Sequence, residues 1–197
     1  MKDLTGFTGV GYDKGRPKVV QAAWLAVQGA VLQHWWCPAT LRTATLRAFG
    51  AEIGEDVLVR HRVRIHWPWK LSIGDSSWIG EGVWILNLEP VEIGSNTCIS
   101  QDVFICTGSH QFDDDHFEFD NAPIRIGSRT WIAAQATILR GVTIGDDVLI
   151  GAKSLVVKDV PSGHKVVAQL GKLLPPKLRD AVDARVGSPD GEKAAAL

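Results

Sequence analysis

An isoleucine or valine returns every sixth residue along the stretch from Ile53 to Val160, and few folds accept that spacing. The positions are Ile53, Val59 and Ile65, then Ile73, Ile79 and Ile85, then Ile93, Ile99 and Ile105, and finally Ile126, Ile132, Ile138, Ile144, Ile150 and Val156. A short fixed period marks a solenoid. Helices repeat at about 3.6 residues and single strands at two, so a period of six fits neither. It fits short strands joined by tight turns, each strand turning one aliphatic side chain inward. One place after the repeated aliphatic stands a small residue, often glycine (Gly54, Gly74, Gly80, Gly94, Gly127, Gly145, Gly151), and four places after it a small or β-branched one (Val57, Ser77, Thr97, Thr130, Ala136, Val148). Such residues suit corners where neighbouring backbones crowd.

The interruptions of the period are as informative. The step is eight from Ile65 to Ile73 and again from Ile85 to Ile93, and twenty-one from Ile105 to Ile126. Each interruption follows a third repeat. The unit is therefore a three-sided coil with its insertions at one shared corner, and the expected fold is mainly β, a parallel β-helix of about five coils. The expected organisation is a lead-in and helical cap over residues 1–49, the β-helix over 50–165 with a long loop at 106–125, and a short, partly disordered extension over 166–197.

A chain of 197 residues is within what one core can organise. Its net charge of −1 argues against a nucleic-acid surface, which needs a basic stripe. Three cysteines, Cys37, Cys98 and Cys106, without a CxxC pair or a secretory signal, read as a reduced, cytoplasmic protein. Residues 1–17 are rich in glycine and charge and read as an extended lead-in. From Val19 to Leu41 there is no Asp, Glu, Lys or Arg, while Trp24, Trp35 and Trp36 are present. Three readings are open for this stretch: a helix capping the open end of the prism, the same helix also gripping a membrane surface beside Lys14, Arg16 and Lys18, or a membrane span. Gln21, Gln28, Gln33, His34 and Pro38 count against the span. Residues 40–49 read as a short helix leading into Phe49-Gly50.

The shared corner gathers residues able to carry chemistry. The first coil reaches it with His66-Trp67-Pro68-Trp69, whose tryptophans read as packing or recognition, and the second with Trp84, Asn87 and Glu89. These coils take twenty residues each, so Asn87 lies beneath Thr107 and Glu89 beneath Ser109, about 4.8 Å away. Both neighbour the start of the long loop, which opens Thr107-Gly108-Ser109-His110 and continues through Asp113, Asp114, Asp115 and His116. Loops on rigid scaffolds favour function. An imidazole that titrates near neutrality can take a proton from a hydroxyl and later release it. His110 reads as such a base or as a surface histidine in a turn; the three aspartates read as a solvated turn or as ligands for sugar hydroxyls. Cys98 and Cys106 read as small packing residues.

The string Cys106-Thr107-Gly108-Ser109-His110, followed by Pro123-Ile124-Arg125-Ile126-Gly127, Trp131-Ile132-Ala133-Ala134, Gly141-Val142-Thr143-Ile144-Gly145 and Gly151-Ala152-Lys153-Ser154 through Lys158-Asp159-Val160-Pro161, resembles the hexapeptide-repeat O-acetyltransferases. With Phe49-Gly50-Ala51, Pro68-Trp69, Ile79-Gly80-Glu81-Gly82-Val83-Trp84 and Ile99-Ser100-Gln101 the likeness narrows to the colanic acid biosynthesis acetyltransferase group, related to galactoside and maltose acetyltransferases. It covers about residues 45–165. The resemblance implies a left-handed coil, which the spacing alone does not fix, and a homotrimer with active sites between neighbouring prisms. It implies acetyl transfer from acetyl-CoA to a sugar or glycan hydroxyl, with His110 as catalytic base and direct attack on the thioester. It implies that the Ala134 N–H stabilises the oxyanion, Trp131 borders the acetyl and pantetheine arm, Ala152 lines the cofactor groove and Lys158 stands near the nucleotide phosphates. Asn87 and Glu89 fall on the acceptor side, one of them a candidate to orient His110. No metal is expected.

One departure concerns the end of the groove. Such enzymes carry a Gly-x-Pro-Ala turn after the last coil, whereas this chain has Val167-Ala168-Gln169-Leu170-Gly171, leaving the roles of Lys172 and Arg179 open. Residues 177–186 read as a brief helix and Ala194 to Leu197 as a vector-derived linker. Two other function classes share the prism. Lyases similar to γ-class carbonic anhydrases bind zinc with three histidines, two of them five apart, as His61 and His66 are; a coil further on stand Glu81 and Leu86, so no third histidine stacks with them. A catalytically silent scaffold is the third.

Overall fold

The computed structural model describes residues 4–169. The C-terminal readings just given, from Leu170 onward, lie outside the described residues. Coil one is β1 (Glu52–Ile53), β2 (Leu58–Val59) and β3 (Arg64–Ile65); coil two is β4 (Leu71–Ile73), β5 (Trp78–Ile79) and β6 (Trp84–Leu86). Coil three is β7 (Val91–Ile93), β8 (Cys98–Ile99) and β9 (Phe104–Cys106); coil four is β10 (Ile124–Ile126), β11 (Trp131–Ile132) and β12 (Thr137–Leu139). β13 (Thr143–Ile144), β14 (Leu149–Ile150) and β15 (Leu155–Val156) make coil five, and β16 (Lys165–Val166) follows. From β1 to β12 each strand pairs in parallel with the strand three places on, giving three sheets, here sides one, two and three. The coil count exceeds the expected five by a fragment: Val160 bridges Ile144 on side one and β16 pairs with β14 on side two, so a sixth coil is begun.

The register sets repeated aliphatics opposite one another, as in Ile53↔Ile73↔Ile93↔Ile126↔Ile144. Inside the prism these columns are closed to solvent, with Ile85, Ile99, Ile105, Ile132, Ile138 and Ile150 at 0% exposure. Strands this short have no stability alone; burial of the columns and the ladder between coils hold them.

The corners are unequal, and the sequence explains why. After β1, β4, β7, β10 and β13 the next residue is always glycine, because a Cβ on Gly94 would stand 2.6 Å from the Ser128 backbone N, and one on Gly145 2.5 Å from that of Ser162. The turn itself is made two residues further on by a left-handed residue, at Asp56, Ser76, Asn96, Arg129 and Asp147 between sides one and two, and at Arg62, Gly82, Asp102, Gln135 and Lys153 between sides two and three. A hydroxyl ladder runs up the first corner: Ser77 Oγ donates to Gly94 O (2.9 Å) and accepts from Thr97 N (3.1 Å), and Thr97 and Thr130 repeat the pattern. These are the residues four places after the repeated aliphatic.

The apolar N-terminal stretch is broken rather than one long helix. α1 (Lys18–Val27) passes into a π turn at Gln28–Leu32, and α2 (Ala39–Ala48) follows Pro38. Among the described residues no helix is long and apolar enough to cross a membrane. The two helices close the end of coil one, where an uncovered strand edge would leave polar backbone unpaired. Gln28 Oε1 accepts from Ile65 N (2.6 Å), Trp24 Nε1 donates to the carbonyls of Ile65 (3.0 Å) and His66 (3.1 Å), and Gln33 O accepts from Arg62 N (2.9 Å). Buried Arg42 ties the parts together by donating to Leu32 O, His34 O and Val59 O.

Gly94→Ala forces a methyl against the backbone of the next coil. The expected cost is about 1–3 kcal/mol of unfolding free energy, read as a lowered denaturation midpoint with an unchanged slope.

Candidate active site

The insertion corner, between side three and side one, behaves as the spacing foretold. It holds a short 3-10 turn at Pro68–Lys70 after coil one, a tight turn through 87–90 after coil two and the long loop after coil three. That loop folds back as a hairpin. Ala122 N donates to Thr107 O (3.1 Å), Asp120 N to Ser109 O (2.8 Å) and Gln111 N to Glu118 O (2.8 Å), and His110 faces Phe119 across it. Arg140, on the next coil, pairs with Asp120 and pins the returning arm.

His110 is half-buried, and its Nδ1 lies 2.8 Å from the Phe117 carbonyl oxygen. A carbonyl can only accept, so Nδ1 carries the proton and Nε2 keeps its lone pair. Nε2 has no hydrogen-bond partner among the described residues. The ring stacks on Phe117 (4.4 Å, 6°) and Phe119 (5.1 Å, 26°), and the ring of Phe7 meets it edge-on at 5.6 Å. The imidazole is thus fixed in one tautomer and one orientation, with its basic nitrogen free. Neither Asn87 nor Glu89 orients it; the Phe117 carbonyl does.

Phe7 belongs to a strap that sequence reasoning took for a plain lead-in. Residues 4–16 run along the insertion corner and are stitched to it. The Glu118 carboxylate accepts from Thr8 N (2.8 Å), Thr8 Oγ1 (2.6 Å) and Gly9 N (3.0 Å). Those Thr8 bonds hold its pKa below the usual carboxylate range. Phe119 meets the rings of both Phe7 and Tyr12, Tyr12 hydrogen-bonds the Trp67 indole, Trp69 Nε1 donates to Lys14 O (2.7 Å) and Lys70 Nζ to Asp13 O (2.6 Å). Trp67 and Trp69 are therefore packing residues for the strap, stacked on each other at 4.9 Å. The signal available in the sequence was the aromatic pair at the corner, which needs a cover.

Asn87 does not meet the expectation of an acceptor contact. It is fully buried: its Oδ1 accepts from Trp67 N (3.0 Å) and its Nδ2 donates to Trp67 O (2.6 Å) and Lys70 O (3.1 Å). The stacking that brought it beneath Thr107 also turned its amide down onto the preceding insertion, where it satisfies backbone that the 3-10 turn leaves unpaired. Glu89 is half-buried and exposed enough to act, 3.9 Å from Lys70 Nζ, and its N–H donates to Thr107 Oγ1 (2.9 Å). Burial pushes the Cys106 thiol up, which suits a packing residue and not a nucleophile.

The remaining candidates stand elsewhere on the prism. Trp131 is on the outer face of β11, half-exposed, with Nε1 donating to Ser100 Oγ (2.9 Å). Ala134 follows at the corner between sides two and three, and Ala152 occupies the same corner one coil on, where Lys153 N donates to Ala134 O (3.0 Å). At the corner between sides one and two the equivalent N–H groups are capped from the next coil, Ser128 N by Asp146 Oδ1 (2.7 Å) and Asp146 N by Ser162 Oγ (3.0 Å). At Ala134 the next coil offers only the methyl of Ala152, and the Ala134 N–H has no acceptor among the described residues. Lys158 is exposed on the turn after β15, back at the insertion corner. One prism thus carries the His110 imidazole and the open Ala134 N–H on different edges.

His61 and His66 do not converge. His61 lies at the corner between sides two and three, 3.3 Å from Glu81, and His66 lies at the insertion corner, its ring 4.2 Å from that of Trp67 with burial holding its pKa low. Among the described residues no group of three or more His, Cys, Asp or Glu is arranged to hold a metal.

A three-sided parallel β-helix with one histidine held ready on a corner hairpin defines a class, and the comparisons agree. The chain belongs to the hexapeptide-repeat acetyltransferases. Residues 123–158 match the family model described as bacterial transferase hexapeptide (six repeats). The chain is similar to the Escherichia coli protein named as a colanic acid biosynthesis acetyltransferase, WcaF, at 39% identity over 165 residues, 82% of this chain and 90% of that one. It is 31% identical to the galactoside O-acetyltransferase of the same organism, over 61% of each. Its fold matches a hexapeptide-repeat acetyltransferase of Vibrio cholerae determined in complex with acetyl coenzyme A, with a TM-score of 0.72 at 24% identity, covering 83% and 91% of the two chains.

Asn87→Ala leaves Trp67 N and Lys70 O without their partner and takes from Trp67 O one of its two donors, Lys70 N remaining, and is expected to lower stability by about 1–3 kcal/mol, measured by chemical denaturation; unchanged stability with a raised acceptor KM would restore Asn87 to the acceptor site. The strap answers to acid. A carboxylate whose pKa is depressed on folding stabilises its contacts above the unfolded value and loses them as pH falls through the folded value. Protection of the Thr8 and Gly9 amides from hydrogen exchange, relative to the intrinsic rate at each pH, should therefore stay high at neutral pH and be lost only below the usual carboxylate range, and Glu118→Ala should remove it throughout.

Proposed function

We propose that this protein transfers the acetyl group of acetyl-CoA to a hydroxyl of a sugar or glycan, at a site shared by adjacent prisms of a homotrimer. The observation that carries the reading is the Phe117 carbonyl on His110 Nδ1, which leaves Nε2 as an unpartnered base on a rigid hairpin. On this reading Nε2 takes the acceptor hydroxyl proton as the oxygen attacks the thioester carbonyl. A tetrahedral oxyanion forms, and the uncommitted N–H of Ala134 is its donor. Collapse breaks the carbon–sulfur bond, and the proton on Nε2 passes to the departing thiolate. No acyl-enzyme is formed, and Cys106 has no part. Trp131 borders the acetyl and pantetheine arm, Ala152 keeps the groove shallow, and Lys158 serves the nucleotide phosphates as a point charge. Glu89, beside Lys70, faces the acceptor.

The division of these residues between two edges supports a shared site, because the base of one prism must meet the Trp131–Ala134 edge of another. The outward columns support association as well. Side one is polar, with Glu52, Ser72, Glu92, Arg125 and Thr143 in register. Side two presents Leu58, Trp78, Cys98, Trp131 and Leu149, and side three Arg64, Trp84, Phe104, Thr137 and Leu155. Apolar ladders on two of three faces suit a head-to-tail ring, in which one face meets a different face of the next subunit. The name of the WcaF relative favours an exopolysaccharide unit as acceptor, in a cytoplasmic setting where acetyl-CoA is made available.

Thiol release from acetyl-CoA with candidate glycans tests the reaction. His110→Ala is expected to lose about two to four orders of magnitude in transfer while still binding acetyl-CoA, and trimers mixed from His110→Ala and Ala134→Pro subunits should regain transfer that neither variant has alone. Full turnover by His110→Ala would mean another base acts; cofactor binding without release for any glycan would leave the scaffold reading in its place.

A further inference from the structure

The cap carries a surface that acetyl transfer does not use. Between Lys14 and Ala51 there is no Asp or Glu, and the basic residues Lys14 and Arg16, before α1, and Lys18, its first residue, are exposed. On α1 and the π turn, Trp24, Gln28 and Leu32 face the end of coil one. The opposite face consists of Val19, Ala22, Ala23, Ala26, Gly29 and Ala30, all exposed and none polar in its side chain. Where a soluble helix of this kind ordinarily carries charge, this one turns its glutamines the other way: Gln28 is bonded to Ile65 N and Gln21 to Arg16 O. The turn that follows holds Trp35 at 80% and Trp36 at 53% exposure, and Leu41 on α2 is 45% exposed.

We propose that this end of the prism docks on a lipid bilayer bearing anionic headgroups. The occupant is chosen by charge and shape together. An acid-free, apolar helical face with indoles at one end and cations at the other matches the interface between acyl chains and negative headgroups, where tryptophan settles and lysine or arginine finds phosphate. The face lies opposite the side that closes coil one, so docking stands the prism on its capped end and leaves the His110 hairpin, which follows coil three, free along its flank. Contact is peripheral, since no described helix is long enough to cross.

The full chain is floated in a density gradient with vesicles of phosphatidylcholine alone and of phosphatidylcholine with phosphatidylglycerol, at low and at high salt. Flotation with the anionic vesicles, weakened by salt, is expected. Trp35→Ala/Trp36→Ala and Lys18→Glu should each cut the bound fraction by about tenfold without changing thiol release, because none of these side chains lies in the strap, at the insertion corner hairpin or at the Trp131 edge. Protein that stays unbound with both vesicle types, or binding that neither variant reduces, overturns the proposal. Concentration-dependent self-association, seen by sedimentation without lipid and abolished by the tryptophan variant, overturns it too, by giving the face to a second copy. Transfer activity is read separately, so failure of docking and failure of the catalytic reading are distinguishable.

Discussion

Stacking of one coil on the next at a single strand spacing is the constraint on which everything in this protein rests. Strands of two or three residues cannot persist unless paired on both sides. Pairing in register is possible only if each coil repeats the path of the one before it. From that follow the isoleucine columns, the glycines between sides one and two, where Gly94 and Gly145 allow no Cβ, and the hydroxyl ladder of Ser77, Thr97 and Thr130. The ends of such a stack are its weak points, and here the first coil is finished by side chains instead of another coil, Gln28 and Trp24 on Ile65 and Arg42 on Val59.

A stack so strict can vary only at a corner, and this chain uses one. The insertions there are built on each other. Asn87 of coil two holds the 3-10 turn of coil one, Thr107 of coil three receives the N–H of Glu89, and the hairpin above is pinned by Arg140 from coil four. Rigidity is thereby passed to the imidazole of His110, whose tautomer follows from one carbonyl. The strap completes the enclosure, since Phe7 reaches His110 only because Glu118 holds Thr8 and Gly9.

Much of this was legible in the residues. A period of six with interruptions after every third repeat specifies a three-sided prism and its insertion corner, because side-chain direction in a strand depends only on position along the chain. The place of His110 followed from the same count. Asn87 shows where counting stops: its height in the stack was right, but whether an amide faces the cleft or the backbone below depends on which donors the 3-10 turn leaves open. The strap was hidden for a similar reason, as a glycine-rich lead-in has no period and its course is set by partners more than fifty residues away, Trp67, Trp69 and Glu118.

By itself, then, the sequence determined the repeating coil, the corner that breaks it and the histidine at that corner, all of them consequences of local spacing. The tertiary structure alone decided which carbonyl fixes the imidazole, that the N-terminal residues lie over the hairpin, and that the Ala134 N–H on another edge is left open. Those outcomes depend on which polar groups remain unpaired after the chain has packed, and that can be known only when every competitor for each hydrogen bond is in place.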